Sequence, residues 1–401
     1  MSLSTPPSRL HIRFSDQPTE RLHTKKGHKI VATLAQSHLD PQVLSAVCSI
    51  LGSDGNGGGD APCHLAAVAT WADDNRAPWS APLHFAEGVS DHPPDDCQFP
   101  GADGWVGGER VNALDAIRNV SSILTDFVSG SLSSSSSAGG PDEAAAEEAL
   151  KFLIHFLGDM HHPLHLSGRD RGGNDYKVLW DGGVMSACTI FFVPGGGPLL
   201  TFPCTCEKKK TRFLSGLHKV WDNALVDKAI RSTPTNYSKP IPAPALESSL
   251  GDTSYDPYIR RIYWEGLGPD QHSGRWGSEA DSWLSCPPAP SLESVRMQLE
   301  QPPQEVLVGA ATAPRRELRL GNGPPATSDS DTLCPYAWAA PIHALNCAGV
   351  VWPPELDEGY AELDTPEYAG KIGKDWVIEK LFMQGGIRLA GILNAIFAPQ
   401  Q

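Results

Sequence analysis

The sequence predicts a mostly α protein, a single helical domain with long loops. Two observations carry that expectation. Apolar residues recur three and four apart over several long windows, above all from Pro141 to Met160 and from Trp376 to Phe397. Gly (39) and Pro (35) are numerous but concentrate in separate stretches, which leaves the helical windows uninterrupted. Strands do not alternate with helices, so a parallel α/β sheet is not expected.

Taken in order, residues 1–26 are polar and aperiodic and read as a disordered tail. Gly27 to His38 reads as a helix with Ile30, Val31, Leu34 and Ala35 on one side. Asp40-Pro41 offers an N-cap and a first-turn proline for the next helix, and Gly52 offers its stop. Ala66 to Asp74 is a short helix, and Val111 to Phe127 a longer one. The Ser/Gly tract from Ser129 to Gly140 is an exposed low-complexity segment. The helix beginning at Pro141 carries Leu150, Leu153, Phe156, Leu157 and Met160 at helical spacing, and His218 to Ile230 is helical again. Residues 183–213 read as a hairpin or an inserted segment, and about 265–330 as a second insertion, inside one domain spanning 27–397.

Composition narrows the function. Apolar residues make up 40% and charged residues 20%, so a packed core is affordable. A net charge of −15 counts against a broad basic groove for nucleic acid, though not against a metal site that grips one phosphate. No apolar run is long enough to span a membrane. Nine Cys cannot all pair within the chain, and no CxxC…CxxC zinc pattern occurs. Two sequons, at Asn119 and Asn236, matter only for a secreted chain, and residues 1–26 lack the apolar stretch of a signal peptide. No protein partner is indicated.

The chemistry concentrates in the run from Phe152 to His165. His155 and Asp159 stand four apart, so both leave the same face of a helix beside its apolar stripe. A carboxylate on such a face needs a partner or a metal to offset its desolvation. Pro163 turns the chain and lets His165 come back toward that face. The spacing recurs at His218 and Asp222, and Asp73, Arg76, His84 and His28 lie upstream. A single His/Asp pair is as often a hydrogen-bonded pair as a metal pair. Two pairs together with His165, His84 and Asp73 favour zinc, which takes imidazole and carboxylate ligands. Asp74 and His162 read as solvated or outer-shell residues and His161 as exposed. His11, His38, His64, His92, His272 and His343 carry no functional reading.

These motifs resemble the fungal and plant single-strand-specific zinc nucleases, the S-one/P-one nuclease family, which shares its fold with bacterial zinc phospholipase C. The matching residues are Gly27-His28, Trp71-Ala72-Asp73 with Arg76, Leu83-His84-Phe85, His155 with Gly158-Asp159, Pro163-Leu164-His165, Gly172-Gly173-Asn174, Leu217-His218 with Trp221-Asp222, and Gly385-Gly386-Ile387-Arg388-Leu389-Ala390. The resemblance implies a helical domain of the phospholipase C/nuclease type with two to three zinc ions. It assigns Asp73, His84, His155 and Asp159 to one zinc, His165, His218 and Asp222 to a second, and His28 with bridging Asp159 to a third.

It further implies that Asp73 and Arg76 serve catalysis, that Phe85, Glu87 and Asn174 hold a nucleobase, that Cys97 pairs with Cys347, and that the chain is secreted. The implied substrates are single-stranded nucleic acid or nucleotides, cut to 5′-phosphate products, with 3′-nucleotidase action as a further possibility. The family completes its third site with an N-terminal Trp, whereas here no Trp precedes Trp71 and His23 stands at that spacing. Two alternatives stay open: a phospholipase C-like zinc hydrolase, and a metal-binding homologue impaired in catalysis.

Overall fold

A computed structural model describes residues 26–52, 63–99, 104–108, 110–130, 141–180, 184–186, 208–210, 213–242, 247, 250, 253–286, 333–352 and 360–398. The N-terminal tail, the Ser/Gly tract, and most of the 183–213 and 265–330 segments lie outside these residues.

The numbered helices are α1 (Lys26–Gln36), α2 (Pro41–Leu51), α3 (Ala113–Val128), α4 (Pro141–Met160), α5 (217–232), α6 (256–267), α7 (Pro335–Cys347) and α8 (Val377–Phe397). Shorter helical turns connect them. Helix α4 is the axis of the fold. It packs on α3, α1, α2 and α8, with Leu150, Leu153, Ile154, Phe156, Leu157 and Met160 fully buried. A side chain of this kind contributes about 1.5–3 kcal/mol on burial, so this one face is a large part of what holds the domain together.

Local chemistry sets the helix ends. Asn112 caps α3, its side chain accepting from the amides of Leu114 and Asp115. Helix α2 starts on Pro41 and stops at Gly52, which takes a positive φ of 53°. Asp40 precedes that proline, but its side chain makes no cap hydrogen bond, which corrects the capping expected of it. Its backbone amide donates instead to Asn394 of α8, so tertiary contact holds this end.

Helix α1 lies against α8 because Gly385 and Gly386 let the two backbones approach. A Cβ at Gly386 would stand 2.7 Å from the Cβ of Leu34. This contact sets the position of α1, and hence of His28 near its start.

The chain is not purely helical. Strands β1 (Lys177–Trp180) and β4 (Phe213–Gly216) pair antiparallel, as do β2 (Val184–Ser186) and β3 (Lys208–Lys210). The 183–213 segment therefore includes a pair of antiparallel strands. Strand β4 delivers the chain directly into α5 and His218.

Disulfides join Cys48 to Cys63, Cys97 to Cys347 and Cys286 to Cys334. Cys188, Cys204 and Cys206 lie outside the described residues. No described helix is long and apolar enough to cross a membrane.

Candidate metal centre

Five segments converge on one cleft of about 370 Å³, lined among others by His28, Asp73, His84, Asp159, His165, His218 and Asp222. Asp159 is its hub. The carboxylate is 1% exposed and has imidazoles on all sides. His84 Nδ1 stands 2.9 Å from it, His155 Nε2 3.3 Å, His165 Nδ1 3.4 Å and His28 Nε2 3.5 Å. Asp73, one-third exposed at the end of the short helix Trp71–Asp74, lies 3.6 Å from His155 Nε2 and 3.9 Å from His84 Nδ1. On the other side, the rings of His165 and His218 are 4.8 Å apart, and His218 Nε2 lies 3.6 Å from Asp222.

Each segment is held in place by its own sequence. Helix α4 brings His155 and Asp159 to one face. Gly158 makes room for α1: a Cβ there would sit 2.4 Å from His28 Nδ1. His28 stacks on His155 with ring centroids 3.9 Å apart. The turn Pro163–Leu166 is fastened by Asn346 of α7, which donates to the Pro163 carbonyl. The amide of Ala86 donates to the His165 carbonyl, tying the His84 segment to that turn.

Backbone carbonyls fix which ring nitrogen faces inward. The Nδ1–H groups of His155, His165 and His218 donate to the carbonyls of Ala69, His84 and Gly172, at 2.8, 2.7 and 2.7 Å. A carbonyl only accepts, so each neutral ring carries its proton on Nδ1 and presents the Nε2 lone pair to the cleft. Metal-binding imidazoles are prepared in this way.

The donor set fits a divalent cation. His155 Nε2, which faces Asp159 and Asp73, is buried with no hydrogen-bond partner, at a cost of about 1–3 kcal/mol. Three carboxylates share the cleft, and their nearest ion-pair partners there are imidazoles. Two groups of residues have ligand atoms close enough to share an ion beside Asp159, namely His28, Asp73, His155 and His84, His155, Asp159; a third is His162, His165, His218, Asp222.

Protonation follows from the same surroundings. Burial lowers the His155 pKa to about 4 against an opposing pull from Asp159, and burial also lowers His165 and His218. Burial works to raise the Asp159 carboxyl, but His155, His165 and His84 outweigh it and hold it well below its usual range. In acid, therefore, the unfolded chain takes up protons near 6.5 that the folded chain refuses. Metal-free protein is expected to lose stability as pH falls from about 6.5 to 4, and to show little change above 7. Thermal melts across that range test this, and a flat profile contradicts it.

Around the cleft, Phe85 is half-buried. Its ring stacks on His165 with centroids 4.9 Å apart, and the Arg76 guanidinium sits 5.3 Å from its centroid. Arg76 is exposed and also donates to the Ala81 carbonyl. Asn174 lines the cleft, with its amide donating to the Arg171 carbonyl. Glu87 lies behind Gly172 rather than on the cleft wall, and burial pushes its carboxyl up to about 7.

One residue corrects the reading of the sequence. His161 is buried, not exposed. Its Nδ1–H donates to the Leu157 carbonyl, and its Nε2 accepts from Arg388 of α8, 2.8 Å away. The cause is tertiary, because a buried guanidinium with few other acceptors needs this nitrogen. His162, read as solvated or outer-shell, is partly buried with its Nε2 3.2 Å from Asp222. By contrast His343 pairs with Asp91, away from the centre.

Fold and site define a mainly helical protein whose described residues include three His/Asp groups able to hold metal ions. Residues 23–189 match the S1/P1 nuclease family. Nuclease P1 of Penicillium citrinum is 36% identical over 160 residues, 39% of this chain and 52% of that protein. Nuclease S1 of Aspergillus oryzae is 24% identical over 377 residues, 92% of this chain and 90% of that protein. Endonuclease 2 of Arabidopsis thaliana is 31% identical over 159 residues, 39% of this chain and 50% of that protein. The chain thus spans about half the length of the first curated relatives it matches.

Proposed function

We propose that this chain is a zinc-dependent endonuclease that hydrolyses phosphodiester bonds of single-stranded DNA and RNA to 5′-phosphate products, with 3′-nucleotidase action on nucleotides. One observation carries the reading. Inward-facing His nitrogens and three carboxylates meet in a cleft whose rim is Phe85 and Arg76.

Asp73, His84, His155 and Asp159 would hold one ion, and His165, His218 and Asp222 a second. His28 with Asp159 offers part of a third. Zinc held there lowers the pKa of bound water toward neutrality and polarises phosphoryl oxygens. The protein's own groups do the rest. Asp73, reaching the cleft from the exposed side, orients the attacking water. Arg76 projects over Phe85, where a guanidinium can neutralise charge growing on the phosphate. Phe85 offers its ring to a base, and every base has a π-face. Asn174, on the cleft wall, would bond the base edge, while Glu87 stands behind Gly172 and off that wall. A duplex keeps its bases stacked and cannot use such a platform.

The net charge of −15 suits this arrangement, since attraction for phosphate is then local to the bound cations. Three disulfides suit a secreted protein.

The rival substrate is a phospholipid, and one assay separates the two. Purified chain is given single-stranded DNA, the same sequence as duplex, and phosphatidylcholine vesicles, with zinc or with a chelator. The expected result is cleavage of the single strand, slower cutting of duplex, no lipid hydrolysis, and loss of cleavage on chelation. His155→Ala is expected to cost more than the ~100-fold that follows loss of an outer-shell partner. Headgroup release from vesicles with intact DNA would overturn the substrate assignment. Zinc content near zero would favour the impaired homologue.

A further inference from the structure

We infer that His162 is a positioning residue for Asp222 and not a metal ligand, although it lies among the ligands. This rests on the zinc reading above. His162 Nδ1 accepts a hydrogen bond from the amide of Leu164 at 3.2 Å, capping the turn Pro163–Leu166. A backbone amide only donates, so Nδ1 carries no proton. The proton of the neutral ring is then on Nε2, which lies 3.2 Å from the Asp222 carboxylate in an ion-pair contact rather than an aligned hydrogen bond. A nitrogen that carries a proton has no lone pair for a metal. Ligation through Nε2 would require an imidazolate, or a ring flip that leaves the Leu164 amide without its acceptor.

His162 is thus opposite in polarity to His155, His165 and His218, whose Nδ1 atoms donate and whose Nε2 atoms are free. It stacks on His218, with centroids 4.9 Å apart and planes 22° apart, and touches Trp221 edge-on. The ring is clamped between the turn that carries His165 and the helix that carries His218 and Asp222. Its function is to hold one oxygen of Asp222 so that the other, beside His218 Nε2, points at the ion. The site then has three protein ligands, His165, His218 and Asp222. A zinc with three protein ligands keeps a fourth position for water or substrate, as catalytic sites do. Counting His162 as a ligand would close that position.

Glutamine can keep both of these contacts, with Oε1 accepting the Leu164 amide and Nε2 facing Asp222. Leucine can make neither. The test uses the full chain as parent, His162→Gln and His162→Leu. Zinc per chain is measured at saturation, zinc affinity by competition with a chelator, and melting temperature on metal-free protein.

The expected result is the parent's zinc count in all three proteins. Affinity at one site should be about 10–100-fold weaker in His162→Leu, and within a few-fold of the parent in His162→Gln. Loss of one zinc from both variants would make His162 a ligand and overturn the inference. A lower metal-free melting temperature with unchanged zinc affinity in His162→Leu would reduce it to a cap and also overturn it. If His162→Leu does not fold, His162→Gln alone decides, by keeping or losing parental affinity. A parent chain that binds no zinc would instead sink the function proposed above.

Discussion

Asp159→Asn is expected to strip the centre of metal and lower cleavage by well over 100-fold, while leaving the fold intact. The exchange is nearly isosteric, so packing in α4 is preserved. What changes is charge. Asp159 is the carboxylate that His28, His84, His155 and His165 all approach within 3.5 Å. Ions on either side would share it. An amide offers one neutral oxygen and two N–H donors, and those donors repel a cation. Loss of an outer-shell partner costs about 10–100-fold, and loss of a shared ligand must cost more. Zinc content and cleavage of single-stranded DNA are the readouts, with circular dichroism to separate a folded, metal-poor protein from an unfolded one. A folded Asp159→Asn protein with parental zinc content would contradict the hub assignment.

Gly158→Ala is expected to be nearly as damaging, for a steric reason. Alanine is the better helix former by about 1 kcal/mol, so on a free helix this exchange would stabilise. Here the added Cβ stands 2.4 Å from His28 Nδ1 and 3.0 Å from its Cε1. His28 cannot simply swing aside, because it stacks on His155 and sits near the start of a helix packed on α8. Overpacking of this kind costs about 1–3 kcal/mol, which outweighs the propensity gain. The expected outcome is a lower melting temperature and weaker zinc binding on the His28 side. Unchanged zinc affinity would show that His28 takes no part in the centre.

Much of this architecture is legible in the sequence, and the reasons are physical. Helix α4 announces itself because core residues and ligands obey the same period. The His155/Asp159 and His218/Asp222 pairs are visible for the same cause, since four residues is one turn. The turn at Pro163 predicts the return of His165. The role of His161 was not legible, because it depends on Arg388, 227 residues away. His162 was hidden by its neighbours. A second His directly after a first reads as solvated or outer-shell, and only the turn geometry gives it the Leu164 amide and Asp222. The pairing of β2 with β3 was only half legible, as Lys208–Lys210 lacks the apolar alternation of a buried strand. The Cys48–Cys63 and Cys286–Cys334 bonds follow from packing and not from any spacing that nine Cys would reveal.

The central claim is that divalent ions sit where these imidazoles point. Diffraction from crystals grown with zinc, recorded on both sides of the zinc absorption edge, locates such ions directly. The account predicts one anomalous peak about 2.0–2.1 Å from His155 Nε2 and another at that distance from the Nε2 atoms of both His165 and His218. A cleft without such peaks, or zinc bound only at surface residues elsewhere, would contradict it.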